Sequence, residues 1–124
     1  MSKSKKAVIV DDDLLTIDMV QEVLIQLGFQ VFTAEDGNKG LELIKEKKPD
    51  LLILDLLLPG IHGIEVCKLV KKDAEIGDIK IIVMSGVYLE YSTRMDLGGC
   101  GDAFINKPFS VEDLELKLKI VKVI

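Results

Sequence analysis

The 124 residues include no tryptophan, one histidine, one arginine and two cysteines, and each scarcity removes a class of chemistry. With His62 alone, no histidine cluster can hold a metal, and a Ser-His-Asp triad could be built nowhere but around that residue. His62 itself reads as an exposed loop residue between Ile61 and Gly63. Cys67 and Cys100 lie far apart and match no CxxC or Cys/His spacing, which excludes a conventional zinc site and points to reduced thiols. Arg94 is the only arginine, and a net charge of −5 with a pI near 4.9 disfavours nucleic-acid binding, which draws on clustered basic residues that neutralise phosphates. No apolar run approaches the ~20 residues that span a bilayer. The basic opening MSKSKK runs into AVIV, an apolar stretch well short of the roughly 7–15 residues of a signal-peptide core. The expectation is a cytoplasmic protein with neither a membrane nor a nucleic-acid partner.

What is present is aliphatic. Hydrophobic residues make up 48% of the chain and the mean hydropathy is +0.31, enough for a real core in one domain over residues 1–124. Four apolar runs are short and bounded by turn residues: KAVIVD, FQVFT, DLLIL and IKIIVM. A fifth, AFIN, precedes Lys107 and Pro108. Uninterrupted runs of this length suit strands covered on both faces, as in a parallel sheet.

Between them the spacing turns helical. Leu14, Ile17, Val20 or Met19, Val23, Leu24 and Leu27 recur at intervals of three and four, with Asp13 placed to cap the start and Gly28 to stop the end. Asp36-Gly37 leads into a second helix over 39–47 with Leu41, Leu43 and Ile44 on its apolar side, ended by Pro49. A third helix is predicted over 64–74, where Cys67 is a packing residue. A fourth covers 87–97, with Tyr88, Tyr91 and Arg94, and a last one is capped by Ser110 with Glu112 and Asp113 in its first turn. Strands alternating with helices imply right-handed crossovers. The predicted fold is therefore α/β: a doubly wound five-stranded parallel sheet, order 2-1-3-4-5, with five helices in a three-layer α/β/α sandwich. In that order the ligand crevice lies beyond the carboxyl ends of the strands, between the first and third.

Asp11, Asp12 and Asp13 close the first run, and Asp55 closes the third just before Pro59-Gly60. Carboxylates converging on one crevice repel by about 4 kcal/mol per pair at ~4 Å and an effective dielectric near 20. A hard divalent cation offsets this with oxygen ligands, and magnesium accepts a few carboxylates, a backbone carbonyl and waters, above all beside a phosphate. Lys107 adds positive charge at the fifth strand end. With such partners Asp55 can act as a nucleophile toward phosphorus. Ser85, at the fourth strand end, could donate to a phosphate oxygen on it.

Together VDDD at Asp11, PDLLILDLLLPGIHG around Asp55, MSG at Ser85 and FINKPF around Lys107 resemble a two-component response-regulator receiver domain along essentially the whole chain. The resemblance implies that Asp55 is the phosphoacceptor, that Asp11, Asp12, Asp55 and the Leu57 backbone carbonyl hold Mg2+, and that Lys107 contacts the phosphoryl group. It implies Ser85 and Phe104 as switch residues, and in the family the bond preceding the proline that matches Pro108 is commonly cis. The implied partners are a sensor histidine kinase or phosphotransfer protein and a downstream effector or fused output domain. The output face is that of the fourth helix, fifth strand and fifth helix. A homodimer through that face is motivated by Tyr88, Tyr91 and Arg94, and the implied role is a signalling domain rather than an enzyme.

Departures from the family pattern have consequences. Phe104 stands where tyrosine is an alternative, so the switch would rest on burial without a hydroxyl, while Leu14 replaces a frequent proline and Cys100 a usual glycine. Leu57 and Val87, two residues beyond Asp55 and Ser85, are apolar and cannot orient an attacking water, so hydrolysis should be slow. A haloacid-dehalogenase-like phosphatase wants D-x-D-x-T or V, but Leu15 follows Asp11 and Asp13 at that place and Thr16 falls one residue late. A flavodoxin-like carrier lacks its hydroxyl-rich phosphate loop, and three acids there would repel a flavin phosphate. A pseudo-receiver acting only as a binding module stays open, to be separated by phosphorylation itself. No output domain follows Ile124, which leaves a stand-alone receiver or a piece of a larger regulator, and VKVI ends within a helical pattern.

Overall fold

The computed structural model describes residues 4–86 and 101–124. Five parallel strands, β1 (Lys6–Val10), β2 (Gln30–Ala34), β3 (Leu51–Asp55), β4 (Lys80–Ser85) and β5 (Ala103–Asn106), form one sheet in the order β2-β1-β3-β4-β5. The described helices are α1 (Leu14–Gln26), α2 (Gly37–Lys47), α3 (Gly63–Lys72) and α4 (Val111–Ile120), the last being the C-terminal helix. The expected strand order, parallel sense and three layers are all present. The helix predicted over 87–97 lies outside the described residues, as do Val87, Tyr88, Tyr91, Arg94 and Cys100.

The apolar runs do not alternate with polar residues because both sheet faces are covered. Val8, Val10, Leu52, Leu54, Ile81 and Val83 pack toward α2 and α3 with Ile44, Val66, Cys67 and Val70. Their neighbours Ala7, Ile9, Leu51, Ile53, Ile82 and Met84 pack on the other side with Ile17, Val20 and Leu24 of α1 and Leu114 and Leu118 of α4. Every residue of central β3 is buried. Each fully buried Leu or Ile contributes roughly 1.5–3 kcal/mol relative to exposure. The edge strands β2 and β5 keep exposed positions, as a one-neighbour strand can.

Local signals account for the helix ends. Asp13 caps α1, and Gly28, at φ 93°, turns the chain away after it. The α1 stripe is narrower than its spacing suggests: Ile17, Val20, Val23 and Leu24 are buried, but Leu14 and Leu27 are 58% and 41% exposed. Leu14 is the first residue of the helix and Leu27 its C-cap, so both lie at its ends. Asp36 caps α2 by accepting from the Lys39 N–H (2.8 Å), so this helix starts two residues before the predicted 39, at Gly37. Ser110 and Asp113 form a capping box on α4, each side chain accepting the other's backbone N–H at 3.1 Å. The Ser110 N–H, its largest influence, holds the Asp113 carboxyl below its ordinary value. That support is complete above the ordinary carboxylate pKa and is lost as pH falls through the lowered one. Ser110→Ala should cost about 1 kcal/mol at neutral pH, read as a lower urea midpoint at unchanged slope.

At the amino-terminal edge of the sheet, Lys5 Nζ donates to the Val123 carbonyl at 2.7 Å, tying the two ends of the described chain together.

Candidate functional site

The opposite edge collects the acids. Asp11 follows β1 directly, and its N–H donates to the Ala34 carbonyl (3.1 Å), extending the pairing with β2 by one residue. Its carboxylate is fully buried. Oδ1 accepts from the Asp13 N–H at 2.9 Å and Oδ2 from Lys107 Nζ at 2.6 Å. Asp55 ends β3 between β1 and β4 and is also buried. Its Oδ1 accepts from the Leu57 N–H and its Oδ2 from Lys107 Nζ, both at 3.3 Å. Asp12 is exposed, and one oxygen from each of Asp11, Asp12 and Asp55 lies within 4.8 Å of the others. Asp13 takes the helix side instead. It accepts from the Leu15 N–H and the Thr16 hydroxyl, and the Thr16 bond is the main reason its carboxyl sits below the usual range.

Lys107 is aimed from β5. Its own N–H donates to the Ser85 carbonyl at 2.7 Å, which hangs the residue on the end of β4, and the Lys107–Pro108 bond is cis. Its side chain is 19% exposed and bridges Asp11 and Asp55. Burial alone would lower its pKa, but the hydrogen bond to Asp11 and the charges of Asp55 and Asp11 outweigh that, so the ammonium is held above its usual value. Burial, followed by the Asp11 charge, pushes Asp55 up, and Lys107 only partly opposes this.

Three carboxylates against one ammonium leave two negative charges in the cluster, which a divalent cation would balance. The spacing agrees. Oxygens at about 2.0–2.1 Å from a six-coordinate ion lie about 3–4 Å from each other, so the observed cluster needs little contraction to hold one.

Ser85, the last residue of β4, is buried one position beyond the partner of Asp55 in the strand register. Phe104 is half-buried on edge strand β5, packed against the α2–α3 core. With Asn106, Pro108, Leu116 and Ile120 it lines an open cavity of about 580 Å³ between β5 and α4. His62 is exposed and immediately precedes α3, as its loop position suggests.

The sequence model described as the response regulator receiver domain matches residues 7–119. The chain belongs to the response regulator receiver family. A CheY-like response regulator receiver protein from Methanospirillum hungatei shares 30% identity with this receiver, with a TM-score of 0.84 over 94% of this chain and 92% of that one. The chemotaxis response regulator CheY4 of Vibrio cholerae shares 26%, with a TM-score of 0.86 over 96% and 99%. The signal receiver domain of a signal transduction histidine kinase from Syntrophus aciditrophicus has the same fold at 23% identity, TM-score 0.82, over 95% and 89%.

The receiver also has a site residue that the sequence marks only as loop punctuation. Gly63 opens α3 directly beneath Asp55: a Cβ there would overlap the Asp55 carbonyl oxygen and come within 2.8 Å of the Leu56 Cα. Its N–H donates to the Leu56 carbonyl at 3.1 Å. Glycine is a poor helix former, and its use at the first position of a helix is the only sign of this close approach. Among the described residues no helix is long and apolar enough to cross a membrane.

Proposed function

We propose that this chain, as a single receiver over residues 1–124, takes a phosphoryl group onto Asp55 from the phosphohistidine of a sensor histidine kinase or phosphotransfer protein. An Asp55 oxygen attacks phosphorus as the P–N bond to the donor imidazole breaks, and that nitrogen leaves with the bond's electron pair. The observation that carries the reading is the single ammonium of Lys107 bridging Asp11 and Asp55, with Asp12 alongside and two negative charges left over. Asp11, Asp12, Asp55 and the Leu57 carbonyl would hold Mg2+, which when bound supplies charge to offset that developing on the transferring oxygens. The Lys107 ammonium moves from carboxylate to phosphoryl oxygen while its main chain stays bonded to the Ser85 carbonyl at the end of β4. The Ser85 hydroxyl donates to another phosphoryl oxygen, and Phe104 turns inward as the β4 end follows. The altered face comprises the predicted helix over 87–97, β5 and α4. It is read by a downstream effector, a fused output domain or a second copy of the chain, in the cytoplasm. The domain signals; its own chemistry is limited to self-phosphorylation and slow release of phosphate.

Intact mass after incubation with magnesium and acetyl phosphate tests this: one phosphoryl adduct is expected with magnesium and none with a chelator. Absence of both adduct and magnesium binding would leave the domain as a binding module for an unmodified face.

The adduct should be long-lived. Leu57 is 63% exposed beside Asp55 and offers no group to align a water, so Leu57→Glu should speed phosphate release. A wild-type half-life of seconds without a phosphatase contradicts this expectation.

A further inference from the structure

The segment that carries Leu57 leaves β3 at Asp55 and enters α3 at Gly63, and its outer part rests on the start of α2. The N–H of Gly37, the first residue of α2, donates to the Pro59 carbonyl at 3.3 Å. A Cβ on Gly37 would overlap the Ile61 carbonyl oxygen and lie 3.0 Å from its carbon and 3.2 Å from the Ile61 Cβ. These neighbours are mostly main chain, which cannot rotate aside as a side-chain tip can. Next to it, the Asn38 side chain faces Gly60, where the segment turns at φ 76°. Among the described residues, the one main-chain hydrogen bond made by residues 58–61 is this bond from Gly37. Gly63 seats the segment beneath Asp55, and Gly37 seats its far end.

We infer that Gly37 is a positioning residue for the cation site. Lacking a side chain, it lets α2 grip the 56–62 segment and so hold Leu57, whose N–H already bonds Asp55, where its carbonyl can serve as a ligand. The inference rests on the magnesium site proposed above. Groups that orient metal ligands from outside the coordination sphere change affinity by about 10–100-fold when altered. A methyl group at Gly37 must push the segment outward, and the cation site should loosen by that order. By reciprocity, the bound cation must tighten the grip of α2 on the segment.

The test titrates magnesium by calorimetry into the wild type, Gly37→Ala and Ile44→Val. Ile44 is buried two turns further along the same helix, in the core cluster that also holds Leu56 and Leu58, so its variant loosens the packing beneath the segment without touching the first turn of α2. Gly37→Ala should raise the magnesium Kd about tenfold or more. Ile44→Val should lower stability and leave Kd unchanged. A second measurement needs no variant: magnesium should slow exchange of the Gly37 N–H more than that of the Gly40 N–H, which bonds the Asp36 carbonyl within α2 at 2.9 Å. Equal Kd values for wild type and Gly37→Ala, an equal rise in Ile44→Val, or equal protection of the two amides overturns the inference. A wild type that takes up no magnesium overturns the proposed function, and this inference with it.

Discussion

Asp55→Asn, incubated with magnesium and acetyl phosphate, should gain no phosphoryl adduct while the wild type gains one. The asparagine keeps the size of the side chain and an oxygen to accept the Leu57 N–H, so the strand end is undisturbed. What it loses is the nucleophile, because an amide oxygen carries no charge to bring to phosphorus. The same variant has a second signature. Burial and Asp11 raise the Asp55 pKa, so the charged carboxylate costs folding free energy at any pH above the raised value. Without magnesium Asp55→Asn should therefore be more stable than the wild type at neutral pH. That advantage should shrink as pH falls through the raised pKa and vanish below the ordinary carboxylate pKa. Urea titrations over pH, with and without a chelator, read it directly, and an adduct on Asp55→Asn would remove Asp55 from its assigned role.

Lys107→Met should be among the most damaging single changes away from the hydrophobic core. It preserves the stem and deletes the ammonium, leaving Asp11 and Asp55 buried with no cation between them. Breaking a buried ion pair from one side typically costs about 3–5 kcal/mol, because the remaining charge is uncompensated. The raised lysine pKa fixes where this support operates: it is whole below the ordinary lysine value and lost only as pH climbs through the raised one. The variant should therefore be weak at neutral pH. It should regain stability with magnesium, by about 2.7 kcal/mol at a hundredfold excess over Kd, and also as acid protonates Asp55. Equal urea midpoints for Lys107→Met and wild type in chelator would show that the bridge adds nothing.

Most of this architecture is legible in the residues because two-sided burial leaves an unmistakable trace. LLILD can be apolar throughout only where both faces are covered, and its one acid must then sit at the end that meets solvent. The acids and Lys107 were readable for the same reason, each falling just where an apolar run stops. The exposure of side chains at the helix ends was not. Leu14 and Leu27 keep helical spacing with the buried stripe, but one opens α1 and the other caps its end, and both are exposed there. Nor could Gly63 and Gly37 be read as supports of the carboxylate end. Their meaning lies in backbone approaching backbone, a contact with no side chain to carry a pattern.

The hydrogen bond from Lys5 to Val123 places both ends of the described chain where the strands begin, while the acids lie where they finish. A strand of five residues separates these poles, about 17 Å at 3.3–3.4 Å per residue. Anything fused at either terminus is thus attached at the end remote from the carboxylates and would learn of their state only through the body of the domain or around its flank. The two ends are also neighbours, so a short bridge could join them and the chain could be reopened in another loop. Such a permuted protein would keep its chemistry intact while moving the point from which it is tethered.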